Sequence, residues 1–126
     1  MQRALGVGGI FIRARDPKAL ADWYGANLGI DTFDDQGNGS PWMTEAGTTV
    51  FSAHAADTDY FGRLEQQFMI NFRVADLDAM LAQLRAAGAN VDDDAQEYDG
   101  LGRFGWATDP EGNRFELWQP EPEGAD

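Results

Sequence analysis

The stretch Ile10-Phe11-Ile12-Arg13-Ala14-Arg15-Asp16 recurs as Ile70-Asn71-Phe72-Arg73-Val74-Ala75-Asp76. Each copy opens a helix-patterned segment that closes at a glycine, Gly29 in the first and Gly88 in the second. An internal repeat makes the repeated unit, rather than any single helix or strand, the building block of the fold. Equivalent positions in the two halves can then be compared for the paired ligands or catalysts that a symmetric site needs.

In the first half, Gly9 to Ala14 alternates and is rich in β-branched and aromatic residues, which predicts a strand. Asp16 is a helix N-cap and Pro17 stands where a helix tolerates proline best. Leu20, Trp23, Tyr24 and Leu28 form one apolar stripe on a helix that Gly29 ends. Ile30 to Phe33, a turn-rich patch from Asp34 to Pro41, a short run at Trp42 and Met43, and a strand at Thr48 to Ala53 follow. The second half repeats the order, with a strand at Met69 to Val74, a cap at Asp76, and a stripe of Leu77, Met80, Leu81 and Leu84 ending at Gly88. A weaker strand begins near Ala89, and an acidic loop holds Asp92, Asp93, Asp94, Glu97 and Asp99. Strands at Arg103 to Ala107 and Asn113 to Gln119 are joined by Asp109-Pro110-Glu111-Gly112, a tight turn. The expected organisation is one domain over residues 1–126: a first module at 5–54, a connector at 55–67, a second module at 68–120 and an acidic tail at 121–126.

Composition narrows the function classes. A chain of 126 residues with 43% apolar residues can bury roughly two-thirds of its unfolded surface in one core. No run is long and apolar enough to span a bilayer and Met1-Gln2-Arg3 leads into no secretion signal, so a cytoplasmic location is the expectation. With 0 cysteines, disulfides and thiolate chemistry are excluded and any metal must rest on His, Asp, Glu or amide oxygens. The 22 acidic against 9 basic residues give a net charge of −13, which repels nucleic acid and anionic membranes. That acidity serves solubility or favours a cationic ligand.

The strand ending at Asp16, the run Ala21-Asp22-Trp23-Tyr24 with Leu28-Gly29, the matching strand and helix after Met69, and Asp109-Pro110-Glu111-Gly112-Asn113-Arg114-Phe115-Glu116-Leu117 carry a resemblance over nearly the whole chain. The sequence resembles the glyoxalase, bleomycin-resistance and extradiol dioxygenase superfamily, also called vicinal oxygen chelate proteins. The resemblance implies an α+β fold of two βαβββ modules in tandem, their curved mixed sheet wrapped around a cleft, and a homodimer. It does not by itself imply an activity, because metalloenzymes and metal-free binding proteins share the fold.

In the metalloenzymes of that superfamily, a His or Gln early in each module's first strand and a Glu late in each last strand hold the metal. The corresponding positions here are Gly9, Met69, Phe51 and Glu116, so one of four carries a ligand. One carboxylate cannot make a three-ligand catalytic site, and no metal or other cofactor is expected. His54, the single histidine, is expected on the surface. Glu116 is either a ligand contact or a buried acid paired with an arginine such as Arg13 or Arg73.

Alternation along strands sends Phe11 and Arg13 to the cleft from the first module, with Phe51. It sends Met69, Asn71 and Arg73, then Glu116 and Trp118, from the second, with Trp42, Phe104 and Trp106 joining from neighbouring strands. Such aromatics either close a core or line a small-molecule cleft, and the arginines either pair within the sheet or touch a ligand. The leading expectation is a metal-independent binder of a planar aromatic or cationic small molecule, as in drug-resistance members of the superfamily. The alternative is a lyase-, isomerase- or dioxygenase-like enzyme, metal-free or with an unusual site, using Glu116 and His54. A modulator acting through a dimer surface is a third class.

Overall fold

Helix α1 runs over Pro17–Leu28 in the computed structural model, which describes residues 1–34 and 36–122. Its ends follow from local chemistry. The Asp16 side chain accepts the Ala19 N–H at 3.1 Å, Pro17 opens the first turn, and Gly29 closes the helix in the left-handed region at φ 68°. Helix α2 covers Leu77–Ala86 and starts the same way, with Asp76 accepting the Ala79 N–H at 3.0 Å. Gly88, at φ 82°, lets the chain turn away after it.

Five strands make one mixed sheet: β1 (Ile70–Arg73), β2 (Asn90–Val91), β3 (Gln96–Tyr98), β4 (Gly102–Thr108) and β5 (Arg114–Pro120). The order is β1-β5-β4-β2, with β3 also paired to β4. Strand β1 runs parallel to β5 and the other pairs are antiparallel, so the fold is α+β. Both helices pack on one face. Leu20 and Tyr24 of α1, and Leu77, Leu81 and Leu84 of α2, bury themselves against Phe72, Ala107, Phe115 and Leu117. The period-2 alternation of β1, β4 and β5 therefore leaves Asn71, Phe104, Trp106, Glu116 and Trp118 to the opposite face.

Strand β3 lies inside the acidic run expected to be a loop. Its ladder to β4 pairs Gln96 with Phe104 and Tyr98 with Gly102, and the Tyr98 ring meets Phe104 edge-on at 5.6 Å. Carboxylates on an exposed strand do not oppose pairing when their side chains stay in water.

The first half differs more from its expected form. No strand forms at 9–14 or 48–53 among the described residues, and the only pairing there is an isolated bridge between Phe33 and Gly39. Ile10 and Ile12 are about half exposed, and Phe11 and Phe51 are each 96% exposed. A strand exists only by hydrogen bonding to a neighbour, and the second half supplies β5 to β1 while segment 48–53 supplies no such ladder to 9–14. The chain consequently exposes 9567 Å², against the roughly 6,600 Å² expected of a compact protein of its mass. Among the described residues, no helix is long and apolar enough to cross a membrane. Of the acidic tail, residues 123–126 lie outside the described residues.

Candidate functional site

The sheet face away from the helices gathers around one carboxylate. Asn71 on β1 and Trp106 on β4 are the direct cross-strand neighbours of Glu116 on β5, so strand register alone brings all three side chains to one spot. Asn71 Nδ2 donates to Glu116 Oε1, and Trp106 Nε1 donates to Oε2 at 2.9 Å. Glu116 is 7% exposed, too deep to be solvated by bulk water.

The third donor comes from the connector. Tyr60 donates its phenolic hydrogen to Glu116 Oε2. It is held there by a strap: the Gln66 side-chain amide accepts from the Arg114 N–H at 2.8 Å and donates to the Arg114 carbonyl at 2.7 Å. Arg114 Nε in turn donates to the Tyr60 carbonyl at 3.1 Å. Gln66 thereby extends the β5 ladder by one rung with a side chain. The Tyr60 ring meets Trp106 edge-on at 6.2 Å and lies parallel to His54 at 5.5 Å. Burial, then the hydrogen bond to Glu116, pushes the Tyr60 hydroxyl well above its ordinary pKa, so it stays a donor.

No cation neutralises Glu116 among the described residues. Arg114 sits 5.5 Å over the Trp106 ring but is held at 3.0 and 2.8 Å by both oxygens of Asp92. The carboxylate charge is thus stabilised by three neutral donors and faces an aromatic surface. Beyond it, Phe104 and Trp118 stack in parallel at 5.8 Å, and Trp118 Nε1 donates to the Leu101 carbonyl at 2.8 Å.

Several expected cleft residues lie elsewhere. Arg73 donates to the Glu45 carbonyl at 2.7 Å, and Arg13 lines a polar groove of about 460 Å³ with Arg15, Arg63, Glu111 and Asn113, so neither pairs with Glu116. Trp42 leans on Phe72 at 6.1 Å on the helix side, in an apolar groove of about 320 Å³ with Leu28, Ile30 and Met80. Phe11 and Phe51 stand in solvent, because the strands meant to carry them have no partner. Met69 is half-buried just before β1, and His54 is exposed. Tyr60 was not among the expected site residues. The available signal was the aromatic pair Tyr60-Phe61 in the connector.

The superfamily's metal does not fit these residues. Of Gly9, Phe51, Met69 and Glu116 only the last is a ligand, and both of its oxygens already accept hydrogen bonds. Among the described residues, no three His, Asp or Glu side chains come together to hold an ion.

A family model described as a glyoxalase-like domain matches residues 9–118. The chain belongs to that family. Solved structures of the glyoxalase/bleomycin resistance protein/dioxygenase superfamily are similar in fold to this glyoxalase-like domain. One member, from Sphaerobacter thermophilus, is 21% identical over 86% of this chain and 91% of that one, with a TM-score of 0.56. TnmS3, an antibiotic binding protein from Streptomyces sp. CB03234, is 23% identical over 95% of this chain and 100% of that one, with a TM-score of 0.58. A lactoylglutathione lyase from Agrobacterium tumefaciens is 15% identical over 96% of this chain and 100% of that one, with a TM-score of 0.55. At these identities the likeness is one of fold. No curated protein matches the glyoxalase-like domain.

In this glyoxalase-like domain the Asp109–Asn113 turn joins the two halves. Asp109 accepts the Tyr24 hydroxyl of α1 at 2.7 Å, and Glu111 accepts the N–H groups of Arg15 and Asp16, each at 3.0 Å. Those N–H groups hold the Glu111 carboxyl below its usual range.

Proposed function

We propose that this glyoxalase-like domain is a metal-independent binder of a planar aromatic or cationic small molecule. The observation that carries the reading is Glu116: a buried carboxylate held by Tyr60, Asn71 and Trp106, without a cation, on a face of stacked aromatic rings. Aromatic faces beside an uncompensated negative charge attract cations and flat π-systems. The shared fold includes both an antibiotic binding protein and a lyase, so it does not choose between binding and catalysis. The engaged oxygens of Glu116 favour binding.

The reading includes a homodimer. The surface beyond that of a compact chain, which includes the apolar residues Leu5, Val7, Phe11, Val50 and Phe51, exceeds the roughly 800 Å² per partner of a standard interface. Residues 5–54 then complete the first module by pairing with a second copy, and they bring Phe11 and Phe51 to a ligand cleft.

Two measurements test this. Titration of planar cationic dyes, with a chelator present, should quench tryptophan emission, and Glu116→Gln should weaken cation binding about tenfold while sparing neutral aromatics. A flat response across the panel, or stoichiometric metal in the purified protein, would count against the reading. Sedimentation equilibrium should find a dimer that the double substitution Phe11→Asp, Phe51→Asp dissociates.

A further inference from the structure

Tyr60 meets the Glu116 face of the sheet as a ligand would. Its ring lies on His54, its edge meets Trp106, and its hydroxyl donates to Glu116, so three independent recognition elements converge on one phenol. The residue belongs to no strand or helix and reaches the site from the connector through the Gln66–Arg114 strap. A side chain delivered in this way is a tethered occupant, present at an effective concentration of order millimolar.

We propose that Tyr60 is a removable plug, and that the Glu116 site selects ligands carrying an aromatic hydroxyl that replaces the Tyr60 phenol. This rests on the binding role proposed above and names the chemistry of that site. Removing Tyr60 leaves Asn71 and Trp106 still donating to Glu116, but Oε2 loses one of its two donors, and an occupant that covers it again without an O–H leaves it short of one. Leaving a buried charged acceptor short of a donor is costly, so an occupant that brings only apolar surface is rejected and one that brings an O–H is accepted. A quaternary ammonium group satisfies the charge but supplies no hydrogen to Oε2. The ring contributes through the same edge and face contacts that Tyr60 makes with Trp106 and His54.

The test is complementation of a cavity in the full chain. Tyr60→Ala should bind 4-methylphenol about tenfold or more tighter than the wild type does, and about tenfold or more tighter than it binds toluene, the range one hydrogen bond to a charged group supplies. The readout is the indole N–H resonance of Trp106, which reports its bond to Glu116 directly. Equal binding of toluene and 4-methylphenol, or no gain over the wild type, overturns the proposal. Should Tyr60→Ala fail to fold, Tyr60→Phe keeps the ring and removes only the hydroxyl. It should let 4-methylphenol compete about tenfold better than in the wild type, and an unchanged affinity overturns the proposal equally. If cationic dyes still quench wild-type fluorescence while both variants ignore 4-methylphenol, the binding role stands and the plug is wrong.

Discussion

Phe115→Ala should lower the unfolding free energy by about 3–5 kcal/mol, the cost of deleting a large aromatic from a closed core. Phe115 is 1% exposed and lies within about 6 Å, ring centre to ring centre, of Trp23, Tyr24 and Phe72. It is therefore the point at which α1 is fastened to the sheet. With typical domains stable by only about 5–15 kcal/mol, such a loss consumes a large part of the margin. Urea unfolding followed by far-ultraviolet circular dichroism measures it, and a shift below about 1 kcal/mol would mean that α1 does not pack as described. A conservative exchange such as Leu117→Met at a neighbouring core position should cost less than about 1.5 kcal/mol, because volume is kept.

Asp109→Ala should cost about 3 kcal/mol although no apolar contact is lost. Asp109 is 4% exposed, and its two oxygens accept from the Tyr24 hydroxyl at 2.7 Å, the Glu111 N–H at 2.8 Å, and both nitrogens of Asn113. Alanine strands the buried Tyr24 hydroxyl, whose ionisation burial has already pushed beyond reach, and releases the donors that shape the turn. Tyr24→Phe removes the stranded group. The double variant should therefore be more stable than the sum of the single losses implies, with a coupling of about 1–2 kcal/mol in a double-mutant cycle. Additive losses would show that the Tyr24–Asp109 bond contributes nothing beyond the turn itself.

How far these features could be read beforehand depends on how local their causes are. The ends of α1 and α2 are written in Asp16, Gly29 and Asp76, whose effects reach only a few residues, and the expected boundaries there agree with the helices. The faces of β1, β4 and β5 follow from alternation, and the strand register brings Asn71, Trp106 and Glu116 to one side. The partners of Glu116 were not legible in full. An arginine or a ligand was the expected counterpart, whereas Tyr60 arrives through a strap that depends on the Gln66 amide meeting the backbone of Arg114. Strand β3 was hidden for the opposite reason: its acidic composition reads as loop until Phe104 and Gly102 are seen beside it. The segments 9–14 and 48–53 carry a strand pattern as clear as that of β1, yet pattern specifies a face and not a partner.

The bond between Tyr24 and Asp109 spans 85 positions of chain. On a ribosome adding about 5–20 residues per second, Asp109 is made roughly 4–17 s after Tyr24. For that interval the rings of Trp23 and Tyr24 lack Phe115, the buried ring that both of them meet. A slower ribosome lengthens the time α1 spends with its apolar stripe only partly covered.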